Sequence, residues 1–128
     1  MDSMDRLVQM VNERWGNILL SELRDEALEE PTGIKYESVR ASIGPRMAIA
    51  LCLTHEKDIA KCQRALGLSD APSEDWSELT LLDLLEHAVR SSAIICKVDK
   101  DASGSIRAVA FIAADPDSVN RIESVFTF

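Results

Sequence analysis

Residues 93–113 read "AIICKVDKDASGSIRAVAFIA": two short apolar runs, 93–98 and 106–113, joined by seven small or polar residues. Runs of this length bounded by turn formers predict a β-hairpin. The joining segment invites a second reading. Asp99, Asp101, Ser103, Gly104 and Ile106 match the oxygen, oxygen, oxygen, glycine and apolar positions of an EF-hand calcium loop. The match stops there. Counted from Asp99, the bidentate acid of such a loop would fall on Ala110 and its ninth ligand on Arg107, and strands rather than helices flank it. Asp99, Asp101 and Ser103 therefore stand as a weak metal candidate at most. The plainer reading is a turn in which Asp side chains bond the local amides and Gly104 supplies a positive φ. No metal and no cofactor is expected.

Outward toward the C-terminus, "ADPDSVNRIESVF" predicts a helix. Asp115 is its cap, Pro116 its first residue and Asp117 lies in the first turn, with Val119, Ile122 and Val125 along its apolar edge. On the other side of the hairpin, 79–89 predicts a helix capped by Thr80 or Ser77. Its apolar residues cover more than one face, as in a helix wedged between layers. The stretch "LSDAPSEDWS" before it reads as a polar loop anchored by Trp76.

Further out, Thr54 caps a predicted helix with Ile59, Cys62 and Leu66 inward and Gly67 as its stop. Residues 47–53 read as a buried strand, with a long helix over 45–66 as the alternative, because periodicity does not separate the two. "IKYESVRASIG" (34–44) favours a short helix with Ile34, Val39 and Ile43 inward over an alternating strand. Residues 5–30 form a helical pattern through Leu7, Val11, Trp15, Ile18 and Leu23. Gly16 and Asn17 predict a kink or break within it, and Pro31 ends it. Glu26, Glu29 and Glu30 then sit at the wrong pole of the helix dipole, which implies a positive group from elsewhere in the chain.

The sum is α+β: one compact domain over 1–128, with a small antiparallel sheet of two or three strands and helices packed mainly on one face. No repeat, low-complexity tract or linker is evident. An apolar fraction of 46% in 128 residues is enough for a core of its own, filled by Ile, Leu, Val and Ala because aromatics make up only 5%. No run approaches the length of a membrane span, and the acidic start "MDSMDRLVQM" is unlike a secretory signal. Cys52, Cys62 and Cys96 lie in or beside apolar segments and read as reduced thiols, so a cytoplasmic protein is expected.

The net charge of -8 is unevenly placed. Residues 1–30 carry eight acids against three bases, residues 33–67 three against six, and residues 69–88 six acids with no Lys or Arg. Such a balance opposes nucleic acid and anionic membranes, and suits a basic protein partner. Glu26, Glu29 and Glu30 with Asp70, Glu74, Asp75, Trp76 and Glu78 form one acidic surface if the first helix and the loop lie together. Catalysis has little to draw on. His55, Cys62, Asp83 and His87 are the candidates, without CxxC, HExxH or a glycine-rich phosphate loop. The expectation is a non-catalytic binding module of inhibitor, immunity-like or adaptor type. A small enzyme or ligand-binding domain with a dispersed site, or a structural subunit of a larger complex, are the alternatives. Edge strands in so small a sheet also favour a homodimer.

Overall fold

Two strands buried on both sides organise the molecule. The computed structural model describes residues 3–41, 46–69, 75–76 and 80–126, with side chains described from residue 5 onward. Strand β2 (Met47–Leu53) is buried along its whole length, and β4 (Ile106–Ala113) from Ala108 onward. Neither alternates apolar with polar. Small and large residues alternate along β2 and along β4 up to Phe111: Ala48, Ala50, Cys52, Ala108 and Ala110 share one face, joined by Ile112, while Ile49, Leu51, Leu53, Val109 and Phe111 share the other. Side chains two apart lie on one face of a strand, so each face of the pair is apolar and each must be covered.

The sheet has four strands in the order β1-β2-β4-β3, antiparallel throughout, with β1 at Ile34–Arg40 and β3 at Ile95–Lys100. Helices α1 (Ser3–Trp15), α2 (Leu20–Glu29) and α4 (Leu81–Ser91) cover the small-residue face, where the alanines admit close packing. Helices α3 (Glu56–Ala65) and α5 (Pro116–Val125) cover the other. Helix α4 packs on the sheet beside α1 and keeps Asp83, His87 and Arg90 exposed, so it shares a layer with α1 rather than being wedged between layers. Asp115 and Thr80 cap α5 and α4, accepting from the Ser118 and Asp83 N–H groups at 2.8 and 3.3 Å. No helix among the described residues is long and apolar enough to cross a membrane.

Several expectations need correction. The sheet has four strands rather than two or three, and helices lie on both of its faces rather than one. The extra strand is β1, read above as a helix. Its alternation is partly hidden because Lys35 and Glu37, on the covered face, are charged and held by ion pairs. Ile43, which supported the helical reading, lies outside the described residues. The break expected at Gly16 and Asn17 is present and divides the helical pattern over 5–30 into two helices, with residues 16–19 between them. His55 rather than Thr54 holds the cap position of α3, and the Thr54 hydroxyl donates instead to the Gly33 carbonyl at 3.1 Å.

The fold also contains a repeat that the residues conceal. The first hairpin pairs Lys35 with Cys52 and Val39 with Ala48; the second pairs Ile95 with Ile112 and Asp99 with Ala108. A displacement of 60 residues carries one register onto the other, up to the bulge after Asp99. It also carries the buried Ile59, Cys62 and Leu66 onto the buried Val119, Ile122 and Phe126. Leu51 and Phe111 are equivalent and directly paired, so they lie on a pseudo-two-fold axis. On the helical side the displacement is 61: Leu20, Leu23 and Ala27 of α2 answer to Leu81, Leu84 and Ala88 of α4, and Trp15 answers to Trp76. An isolated antiparallel bridge joins Leu19 to Thr80, again equivalents. The two units are 15–66 and 76–126; they share size and burial far more than residue identity.

Candidate protein-binding surface

Helix α2 carries the first acidic block. Its inward residues are Leu20, Leu23 and Ala27, a three- and four-residue spacing that leaves Asp25, Glu26, Glu29 and Glu30 exposed. The Glu22 carboxylate accepts the Leu19 N–H at 3.1 Å and holds the helix start. At the other end no base occupies the last turn. The missing positive charge comes from β1, where Lys35 lies 3.0 Å from Glu26 and 3.4 Å from Glu37. Hydrogen bonding to Glu26, with the nearby charges, outweighs partial burial and holds the Lys35 ammonium above its ordinary range. Arg14 reaches Glu37 at 3.0 Å. Glu29 and Glu30 face solvent.

Arg24 joins this helix to β3 and to Trp76 of the second acidic block. Its side chain is only 17% exposed; it meets Asp25 at 3.0 Å and Asp99 of β3 at 3.4 Å, and lies 5.8 Å from the centre of the Trp76 ring. Burial works against its charge, but Asp25 and Asp99 more than offset that and hold the guanidinium above its usual range. A half-buried pair between residues far apart in the chain ties elements together in a way exposed ion pairs do not. Trp76 is half-buried and donates its backbone N–H to the Val98 carbonyl, while the neighbouring Asp75 is exposed. Asp25 and Trp76 thereby both lie against Arg24, with the exposed Asp75 next to Trp76 in the chain. Asp70, Glu74 and Glu78 lie outside the described residues.

The catalytic candidates are not brought together. His55 is exposed and Cys62 is buried under α3 on one face of the sheet; Asp83 and His87 are exposed on α4, over the opposite face. Burial pushes the Cys62 thiol up to about 12, with Cys96 adding to the shift. Burial also pushes Cys52 up to about 12, with Asp99 adding and Arg24 opposing. Such thiols are poor nucleophiles at neutral pH. Among the described residues, an open groove of about 390 Å³ lies beside Arg14 and Arg40 and one of about 370 Å³ beside Glu56 and Ser105, and neither is lined by these four residues.

The hairpin turn accounts for the calcium-like pattern. Asp101 Oδ1 accepts from the Ser103 N–H at 2.9 Å, the Ser103 hydroxyl at 2.6 Å and the Ser105 N–H at 3.0 Å, and Gly104 has φ +87°. Asp99 is turned away from it, toward Arg24. Among the described residues no three His, Cys, Asp or Glu side chains converge as a metal-ligand set.

Sequence reasoning overlooked Arg24 and Lys35. Arg24 had a visible signal: a lone base following Leu23 and preceding Ala27 sits at the margin of the inward stripe, where a long side chain can cross the sheet. Comparison with protein-family models, with curated proteins and with solved structures found no significant match.

Proposed function

We propose that the protein is a non-catalytic binding module whose acidic surface, formed by Asp25, Glu26, Glu29 and Glu30 of α2 together with Asp75 and Trp76, docks on a basic surface of another protein in the cytoplasm. The observation that carries this reading is the Arg24 side chain of α2, which pairs with Asp25 and with Asp99 of β3 and lies over the half-buried Trp76, the neighbour of the exposed Asp75. Carboxylates gathered in this way speed encounter with a basic partner, and an aromatic beside them supplies a desolvated anchor. An inhibitor, immunity-like or adaptor role follows from the same surface. The separation of His55 and Cys62 from Asp83 and His87 lends no support to a dispersed catalytic site.

The test is a triple variant, Glu29→Gln, Glu30→Gln and Asp75→Asn, which leaves the Lys35 and Arg24 ion pairs in place. Captured proteins, identified by mass spectrometry from a cell extract, should present basic surfaces. Their recovery should fall at least about tenfold with the variant and with added salt, since screening weakens exposed charge pairs. Unaltered recovery by a variant that unfolds at the same temperature would remove the proposal.

A further inference from the structure

The two edges of the sheet are equivalent by the pseudo-two-fold, yet they are finished differently. On β3, Asp75 forms a parallel bridge with Val98, and Trp76 donates to the Val98 carbonyl. The equivalents on the other side are Ser38 of β1 and Trp15. Trp15 does not run along β1, because it is wound into the last turn of α1 and fully buried. Among the described residues β2 is the only strand paired with β1. An uncovered edge strand is a template for another strand.

We propose that this edge joins two copies of the chain, β1 pairing antiparallel with β1 of the second copy so that the two sheets become continuous. This does not rest on the acidic-surface reading. Backbone direction is fixed by the ends of the strand. Thr54 N–H donates to the Gly33 carbonyl at 3.0 Å and Ala41 N–H to the Arg46 carbonyl at 2.7 Å. The odd-numbered residues thus face β2, and Ile34, Ser38 and Arg40 direct their N–H and C=O groups outward. The Ile34 N–H also contacts Thr32 Oγ1 at 3.4 Å, a long bond that an incoming carbonyl replaces.

Charge then selects the occupant and the register. Lys35 and Glu37 lie on one face of β1, on either side of Tyr36. A two-fold pair centred on Lys35 would oppose two lysines, and one centred on Glu37 would oppose two glutamates. Centred on Tyr36, the pair sets Lys35 of each copy against Glu37 of the other and Ile34 against Ser38. Opposite charges directly across an antiparallel pair stabilise it and like charges destabilise it. A strand whose charges complement their own two-fold image fits a second copy of itself.

Light scattering coupled to size exclusion, at tens of micromolar, should give twice the 14.1 kDa chain mass. Ser38→Pro removes an outward donor, leaves the β1–β2 bonds intact and should return the mass to that of one chain. Register is read separately by disulfide trapping with Lys35→Cys and Glu37→Cys, each in a Cys96→Ser chain. Residues opposed at a non-hydrogen-bonded position have Cα atoms about 4.5 Å apart, within disulfide reach. The two variants, mixed and oxidised with glutathione disulfide, should give a covalent dimer, and each alone should stay a single chain. A one-chain mass for the unaltered protein, a folded Ser38→Pro chain that remains dimeric, or trapping by Lys35→Cys alone would each overturn the proposal. Should Ser38→Pro fail to fold, the trapping pattern decides.

Discussion

The units 15–66 and 76–126 build the same hairpin and the same inward helical stripes, but they place their tryptophans differently. Trp15 is 0% exposed in the core at the end of α1. Trp76 lies along β3, half-buried under Arg24. Trp15 serves packing alone; Trp76 packs partly on the same core and also finishes an edge of the sheet. Equivalent positions in a repeat thus share burial pattern where the core demands it and diverge where the chain enters the unit. Helix α1, which ends in Trp15, packs on α4.

The sharpest way to break the comparison is to truncate both tryptophans. Trp15→Ala should cost about 3–5 kcal/mol in urea unfolding, the range for a large aromatic lost from a core. Trp76→Ala should cost about 1–3 kcal/mol, because its ring is already partly in water. Equal losses would mean that Trp76 is core and that the edges do not differ as described.

The thiols give a smaller effect. Cys52 and Cys62 are buried and Cys96 is partly exposed. A thiol reagent in mildly alkaline buffer should find one fast group in the native protein, and the other two only on unfolding. Both buried thiols ionise in the folded chain only near about 12, against 9.0 for the ordinary group. Their contribution to stability is therefore complete below 9.0 and is lost as pH rises toward 12. Alkaline melts should show this loss, and Cys52→Ala with Cys62→Ala should reduce it.

The smallest effect belongs to the second hairpin turn. The Ser103 hydroxyl first, then the Ser105, Ser103 and Gly104 N–H groups, hold the Asp101 carboxyl below its ordinary 3.8. Its contribution is present above that value and fades as pH falls below it. A titration followed by NMR should place the Asp101 midpoint below 3.8, and Ser103→Ala should move it upward. An unmoved midpoint would mean that the turn is not closed by this side chain.

Much of the fold was legible locally. The alternation and flanks of 93–113 located the second hairpin, and Asp115–Pro116 located the start of α5 to the residue. The break at Gly16 and Asn17 and the stop at Pro31 were likewise visible. Coverage of both faces was missed although a signal was present: "AIALCL" (48–53) and "AVAF" (108–111) alternate small with large apolar residues, which marks a strand buried on two sides. Strand β1 was missed because Lys35 and Glu37 interrupt its alternation, and their partners, Glu26 and Arg14, come from other elements. Of the acidic surface, the exposed acids of α2 could be read from helical spacing. Their junction with Trp76 could not.

By itself, then, the chain order of residues determined where most helices and strands begin and end, and which side chains they bury. Periodicity, capping and turn chemistry act over a few residues and need no knowledge of the rest. Tertiary structure alone decided that four strands share one sheet, that two units answer to each other across Leu51 and Phe111, and that Arg24 meets Asp99, 75 residues away. Those contacts depend on strand order and on which edge each loop reaches. Local free energy carries no information about either, since it is summed before the distant partner arrives.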